Sequence, residues 1–167
     1  MSTATATPAH TPASTATFIT PDALLQHWQG HRRLTRRMIA AFPEDKLFTF
    51  SIGGMRSFGE LASEMLGMAV PTVRGMVTNE WDEFAMGKAT SLSDLLRQWD
   101  QSTMELDALW PKIPVERFAE TLTAFGQYTM PGHALVLYCV DNEIHHRGQG
   151  YVYLRALGIE PPPFWER

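Results

Sequence analysis

The sequence predicts an all-α protein: a four-helix bundle with a short irregular or β-hairpin excursion between the third and fourth helices. Four segments carry apolar residues at intervals of three and four, which is the spacing of one helix face. The sequence shows neither strand–helix alternation nor a repeat of 20 to 50 residues. At 167 residues and 44% hydrophobic, it fits one core and is too short for two ordinary domains.

The N-terminal 17 residues differ in composition from the rest of the chain. The segment MSTATATPAHTPASTAT is rich in Thr, Ala, Ser and Pro and has little apolar surface to bury. We therefore expect a disordered tail over residues 1–17 and a single bundle domain over residues 18–167. The tail has neither a basic start nor an apolar stretch, so it does not resemble a secretory signal.

Local signals set the ends of the first two predicted helices. The first begins near Pro21, a favourable first-turn residue, and ends near Phe42. The second begins at Ser57, whose spacing to Glu60 predicts a capping box. Pro71 is expected to kink this helix or end it early, because proline removes an intrahelical hydrogen bond.

The third predicted helix opens at Ser91 and is closed by Pro111. Residues 112–130 contain proline, glycine and several threonines, a composition that favours a turn or a short β-hairpin. The fourth helix begins near Pro131 and ends at about Leu157. The glycine that follows, and the PPPF segment after it, prevent its continuation.

Charge and cysteine content exclude several classes of protein. The net charge of −4 argues against nucleic-acid binding, and we interpret the basic cluster at residues 32–37 as the solvated face of a helix. A single cysteine, Cys139, excludes an internal disulfide framework and indicates a reducing, cytoplasmic location. No run approaches the roughly 18 apolar residues of a membrane span.

The fourth helix places polar side chains toward the core. On a helical wheel Asn142, His146 and Gln149 lie within roughly 40° of the apolar reference Leu135. His145 projects about 80° away from this direction.

Asp141 and Glu143 lie further from the inward direction, and we expect them to face neighbouring helices or water. A buried polar group without a partner costs about 1–3 kcal/mol, so the inward cluster needs hydrogen bonds, water or a ligand.

Two interpretations of this cluster are open. One is a hydrogen-bonded core network. The other is a metal site, because Asn142 and His146 lie one turn apart and can converge on one ion. Glu64, on the flank of the second helix, could reach into the bundle and complete it, although a flanking glutamate is more often solvated. His31, on the inward stripe of the first helix, is a core histidine or a hydrogen-bond partner of the site.

The segment NEIHHRGQGYVYLRALGIEPPP resembles the fourth-helix pattern of the DinB/YfiT-like family of small metalloenzymes. The segments GMRSFGELASEMLGM, HWQGHRRLT and AFPEDKL resemble the second helix of that family, its first helix and the exit from it. The resemblance implies a four-helix bundle, commonly homodimeric, in which three histidines hold one divalent metal, usually nickel or zinc.

Carried over by position, the three family ligands fall on Glu64, Asn142 and His146, of which only the last is a histidine. A carboxylate and an amide oxygen are harder ligands than imidazole, so the site should tilt toward Mn²⁺ or Mg²⁺ and bind zinc more weakly. An empty site is the alternative. His31, His145 and Gln149 are the candidates for supporting hydrogen bonds.

The resemblance implies a metal-dependent enzyme, a transferase or hydrolase that acts on a small molecule or a low-molecular-weight thiol at the end of the bundle. The alternative is a non-catalytic stress-response or binding module that has lost the metal site. For a homodimer, Trp28, Trp99, Trp110 and Trp165 would supply aromatic surface.

Overall fold

A computed structural model of the chain describes residues 18–81 and 86–167. The predicted tail at residues 1–17 lies outside this part. Four long helices and one short helix make up most of the described chain: α1 (Pro21–Ala41), α2 (Glu44–Leu47), α3 (Phe58–Thr78), α4 (Leu92–Leu109) and α5 (Gly132–Ala156). The long helices are the four that the sequence predicts. None of the helices in this part of the chain combines the length and apolar character that a membrane crossing requires.

The long helices form a bundle in which α5 lies between α1 and α3. Both α1 and α3 pack against α4 and against α5, and few residues join α1 directly to α3. Side chains on opposite sides of α5 therefore face two different helices. This arrangement decides where its polar residues point.

Side-chain caps begin three of the four long helices. Thr20 accepts a hydrogen bond from the backbone of Ala23, and Ser91 does the same for Asp94. Ser57 and Glu60 form the predicted capping box, with the Glu60 carboxylate accepting from the Ser57 backbone at 2.8 Å. These bonds satisfy amide groups that have no partner within the helix.

Pro71 does not end its helix. The helix α3 continues through it to Thr78, so the expectation of an early end is wrong. Proline in a helix interior costs about 3 kcal/mol. Residues on both sides of it, Val70 and Val73 among them, are buried in the core, and their packing outweighs that local cost.

The predicted β-hairpin is present between α4 and α5. Two short 3₁₀ turns, Trp110–Lys112 and Val115–Phe118, lead to strands β1 (Thr121–Ala124) and β2 (Tyr128–Pro131), which pair antiparallel. Phe125 and Gly126 turn the chain with φ of 53° and 68°. Alternate side chains of β1 are buried, so the hairpin covers one end of the core.

Gly158 ends α5 as the sequence predicts. Its φ of 76° is left-handed, and the amide of Ile159 donates to the carbonyl of Leu154 at 2.9 Å. This is the hydrogen-bond pattern of a glycine-terminated helix.

The apolar core consists of two clusters. One contains the N-terminal part of α5 up to Val140 together with the C-terminal part of α3. The other contains the last turns of α5, from Tyr153, with the N-terminal part of α3. Residues 142–149 of α5 lie between the clusters and form a polar layer there.

The tryptophans do not supply the aromatic surface expected for a dimer. Trp28, Trp99 and Trp110 are buried in the core, because their large apolar area stabilises the packed helices. Only Trp165 of the four is exposed.

Candidate functional site

The structure brings Glu64, Asn142 and His146 together. The Oε1 atom of Glu64 lies 3.1 Å from the side-chain nitrogen of Asn142 and 3.1 Å from Nε2 of His146. The last two residues are one turn apart on the face of α5 that packs on α3, which explains why one carboxylate reaches both.

Glu64 is held from both sides. Its Oε2 atom pairs with Arg56 Nη1 at 2.5 Å, which leaves Oε1 for the residues of α5. Burial disfavours the charged form of this carboxyl, but the hydrogen bonds from Arg56, Asn142 and His146 outweigh burial and lower its pKa below the ordinary value. Glu64 is therefore a carboxylate near neutral pH.

Gln149 determines how His146 meets this carboxylate. His146 Nδ1 lies 2.8 Å from Gln149 Oε1, while the amide nitrogen of Gln149 faces the sulfur of Met55 at 3.6 Å. Because a carbonyl oxygen only accepts, Nδ1 carries the proton and donates. His146 Nε2 faces a second acceptor, Glu64 Oε1, so either a proton on Nε2, which donates to the carboxylate, or a cation in place of that proton lies between them.

Asn142 adds an unpartnered oxygen. Its Oδ1 atom is buried and has no hydrogen-bond partner among the described residues. Asn142 turns its Nδ2 atom toward Glu64 here, and a rotation of the amide would turn the orphaned oxygen toward a cation between Glu64 and His146. The donor set is one carboxylate oxygen, one amide oxygen and one imidazole nitrogen.

The set differs from the three histidines that the family resemblance implies. Within residues 18–81 and 86–167, no three His, Cys, Asp or Glu side chains converge to hold a metal ion. Glu64 and His146 are two such side chains, and Asn142 is an amide. Metal binding by these residues stays a prediction.

A cavity of about 290 Å³ opens beside Glu64. The hairpin and the N-terminal half of α5 form most of its wall, and the lining is mainly apolar. Its residues include Met68, Phe125, Tyr128, Met130 and Tyr138. A mainly apolar pocket with one carboxylate at its wall is typical of a small-molecule site.

Cys139 lines the same cavity but is a poor nucleophile. Burial raises the pKa of its thiol to about 11, and the thiol lies 3.4 Å from the hydroxyl of Thr72. The thiolate is the reactive form of cysteine, so this side chain contributes packing and not chemistry at neutral pH.

The structure separates the three candidates for supporting hydrogen bonds. Gln149 contacts His146 as described. His145 is exposed, and its ring meets the ring of His146 edge-on with centroids 5.0 Å apart. His31 does not touch the site. Its Nδ1 atom lies 2.9 Å from Arg147 in a separate cluster, because the first helix packs on the other side of α5.

That separate cluster is the part of the polar layer which sequence reasoning missed. Glu143, 2% exposed, accepts hydrogen bonds from Trp28 Nε1 at 3.1 Å and from Thr35 Oγ1 at 2.6 Å. Arg147 donates to Thr35 Oγ1 at 3.1 Å. Burial raises the pKa of Glu143, while the nearby Arg32, Thr35 and Arg147 act in the opposite direction.

Glu143 faces α1 and is buried, which is one of the two directions that the wheel allowed. One expectation about the polar residues is wrong. Arg32 is not on a solvated helix face: it is 1% exposed, stacks over the Trp99 ring at 4.4 Å and donates to Ser102 at 2.7 Å. Polar residues repeat at four-residue steps on both α1 and α5, which places them on one flank of each helix. This repeat was the sequence signal for the burial of Arg32 and Glu143.

The site also lies elsewhere along the bundle than expected. Asn142 and His146 are near the middle of α5, between the two apolar clusters, and not at an end of the bundle. The hairpin packs over the apolar cluster that contains the N-terminal part of α5, and its residues form part of the wall of the cavity beside Glu64.

Fold and site together define a helical-bundle protein with a polar centre beside a mainly apolar cavity. A sequence profile of the DinB family matches residues 13–167, and the chain belongs to that family. The family resemblance noted from the sequence motifs is confirmed.

Several relatives share the fold. The chain is 21% identical over 147 residues to the uncharacterized protein YjoA of Bacillus subtilis (strain 168), covering 86% of this chain and 95% of YjoA. The crystal structure of that DinB-like protein matches with a TM-score of 0.67 at 20% identity, covering 86% of this chain and 98% of that one. A DinB-like protein from Bacillus cereus ATCC 10987 matches with a TM-score of 0.65 at 18% identity, covering 86% and 97%.

A further structural match is to an alanine mutant of the mycothiol-dependent maleylpyruvate isomerase. Its TM-score is 0.62 at 12% identity, over 79% of this chain and 61% of that one. These likenesses show the fold.

Proposed function

We propose that this chain is a metal-dependent enzyme, a transferase or hydrolase that acts on a small organic molecule in the cavity beside Glu64. The observation that carries the proposal is the meeting of Asn142 and His146 at Glu64 Oε1, beside a buried Asn142 Oδ1 atom that has no hydrogen-bond partner among the described residues. Glu64 Oε1, Asn142 Oδ1 and His146 Nε2 would hold the ion. When bound, a divalent ion would lower the pKa of a water or thiol beside it.

The surrounding residues of the chain prepare these donors. Gln149 holds the proton of His146 on Nδ1, which keeps Nε2 free to bind a cation. Arg56 occupies one oxygen of Glu64 and so directs the other toward α5. The lowered pKa of Glu64 makes it a weak proton acceptor, which supports a role as ligand over a role as general base.

The cavity wall supports a substrate with apolar or aromatic surface. Tyr128 and Tyr138 stack with ring centroids 6.3 Å apart, and both line the cavity. The chain has a single cysteine, Cys139, whose thiol stays protonated, so a thiol nucleophile would come from a second substrate. The name of the mycothiol-dependent structural relative supports a low-molecular-weight thiol in that role.

One observation favours the alternative, a non-catalytic binding or stress-response module. No three His, Cys, Asp or Glu side chains converge within the part of the chain that the structure describes, so the site is weaker than a three-histidine centre would be. In that case the cavity would bind a small molecule without turnover.

Metal analysis separates the two. The full chain is purified without an affinity tag, incubated separately with Mn²⁺, Zn²⁺ and Ni²⁺, desalted, and analysed by inductively coupled plasma mass spectrometry. We expect about one ion per chain, and a fall to the background level in Glu64→Gln. Background metal in the wild type after every incubation would contradict the proposal and favour the binding module.

A further inference from the structure

Two tyrosine rings from different elements lie where the cavity beside Glu64 opens to solvent. Tyr128 begins β2 and Tyr138 lies on α5, and both line the cavity. The two residues are 45% and 49% exposed. Because about half of each residue is in solvent, the rings can shift without disturbing the core.

The two rings are nearly parallel but loosely stacked. Their planes differ by 28° and their centroids are 6.3 Å apart, toward the upper end of the range of about 4.5–7 Å for aromatic pairs. A planar ring in contact with both would need them roughly 7 Å apart, which is twice a carbon–carbon contact of about 3.5 Å. A shift of less than about 1 Å therefore admits a flat ring between them.

The ring pair is one helical turn from the polar centre. Tyr138 precedes Asn142 by four residues, which places the two on one face of α5 about 6 Å apart along its axis. Ala124, the cross-strand partner of Tyr128, and Cys139 are buried in the cavity wall. A ring held by the tyrosines can therefore extend a short substituent toward Glu64.

The described residues that line the cavity offer a ligand no unpaired charge. Glu64 is the only charged residue among them. Its Oε2 atom pairs with Arg56, and its Oε1 atom contacts Asn142 and His146. In the metal-free cavity a carboxylate ligand would meet no cationic side chain, and an ammonium ligand would meet a carboxylate that is already paired. Burying either charge without a partner costs more than binding an uncharged polar group.

We propose that Tyr128 and Tyr138 form a clamp that takes an uncharged, planar ring of the substrate between them. This inference rests on the proposed function, because it names the class of molecule that enters the same cavity. The substituent of the ring lies along α5 and reaches toward Glu64. The clamp selects flat, unsaturated rings over saturated rings of similar size, since a flat π surface can contact both tyrosines at once.

Four probes of similar size test the clamp: benzamide, benzoate, benzylamine and cyclohexanecarboxamide differ in charge or in ring saturation. Each is titrated at about pH 7.5 into the metal-free full chain in EDTA and followed by NMR of ¹³C-labelled methionine methyl groups. Met68 and Met130 line the cavity and should shift, whereas Met104, 59% exposed on α4, should not. We expect benzamide to bind at least about fivefold more tightly than each of the other three probes.

Substitutions separate ring stacking from apolar contact in general. Tyr138→Leu and Tyr128→Leu should each weaken benzamide binding about fivefold or more, and Tyr138→Phe should keep the Kd within about twofold of the wild type. Leu137→Ala, at a neighbouring exposed position that does not line the cavity, is the control and should leave the Kd unchanged.

Four outcomes would overturn the proposal: tightest binding of benzoate or benzylamine, equal binding of benzamide and cyclohexanecarboxamide, unchanged benzamide binding in both leucine variants, or no binding of any probe. Because the titrations contain EDTA, a chain that fails to hold a metal ion gives the same result. A failure of the clamp, in turn, leaves the metal analysis of the wild type unchanged, so the two failures are distinguishable.

Discussion

The two sides of α5 in the polar layer differ in how completely their polar groups are paired. Toward α1, both oxygens of Glu143 accept hydrogen bonds, from Trp28 and Thr35, and Arg147 lies close by. Toward α3, the Oδ1 atom of Asn142 has no hydrogen-bond partner among the described residues, and His146 Nε2 meets the Glu64 carboxylate. Only the second side opens on the cavity beside Glu64. The pairing of both Glu143 oxygens indicates a structural role for this carboxylate, although Arg32 Nη1 nearby is buried without a hydrogen-bond partner among the described residues. An unpaired Asn142 oxygen beside a cavity indicates a ligand.

Removing one carboxylate from each side should give the largest contrast. Glu143→Ala leaves Arg147 and Arg32 buried without their counter-charge, and we expect it to lower the free energy of unfolding by about 3–5 kcal/mol. Glu64→Ala should cost only about 1 kcal/mol, because the side chain of its partner Arg56 is 43% exposed and can be solvated. Urea unfolding in the presence of EDTA measures both. Equal losses would show that the two sides are equally structural.

The pH dependence of stability should come mainly from the α1 side. Burial, followed by the charges of Arg147, Arg167 and His27, lowers the pKa of His31 to about 4 from 6.5. The unfolded chain therefore binds a proton near pH 6.5 that the folded chain does not bind until about pH 4. The contribution of His31 to the free energy of unfolding is therefore full above pH 6.5 and declines as the pH falls toward 4.

We expect the metal-free wild type to lose about 2 kcal/mol from this group between pH 7 and pH 5. His31→Gln should remove that part of the slope, and His145→Gln, at an exposed position, should retain it. Urea unfolding at intervals of half a pH unit gives the slopes. Parallel slopes for the wild type and His31→Gln would show that this imidazole does not control the pH response.

Near-isosteric apolar substitutions on the two sides of α5 should give the smallest changes in unfolding free energy. Asn142→Leu should change the unfolding free energy by less than about 1 kcal/mol, because the oxygen it removes has no partner and Glu64 keeps Arg56 and His146 after losing the hydrogen bond from Asn142. Thr35→Val should cost about 2 kcal/mol, since Glu143 and Arg147 both lose a hydrogen bond. Thermal unfolding under matched conditions measures both, and the reverse order would contradict the assignment of the paired and unpaired sides.

Local signals predicted most of the fold. The Ser57 capping box, the Gly158 terminator and the hairpin composition act over a few residues, so a single sequence reveals them. Pro71 was misread because long-range packing outweighed a local preference. The short helix α2 and the burial of Arg32 also depend on distant partners, which periodicity alone does not identify.

The difference between local signals and long-range packing also explains which site residues could be predicted. The helical wheel found Asn142 and His146 because inward direction is a property of one helix, and Glu64 followed from its position on the flank of another. Glu143 was missed because the wheel gives an angle and does not say which neighbour lies at that angle. The order of the helices around α5 supplied the missing information.

The central claim is that the α3 side of α5 holds a cation through His146. Calorimetric titration of metal-free protein with Mn²⁺ and Zn²⁺ tests it most directly on the wild type, His146→Ala and His145→Ala. We expect one site per chain in the wild type, unchanged affinity in His145→Ala, and affinity at least about tenfold weaker in His146→Ala. Loss of binding in His145→Ala with retention in His146→Ala, or no binding by the wild type, would contradict the account.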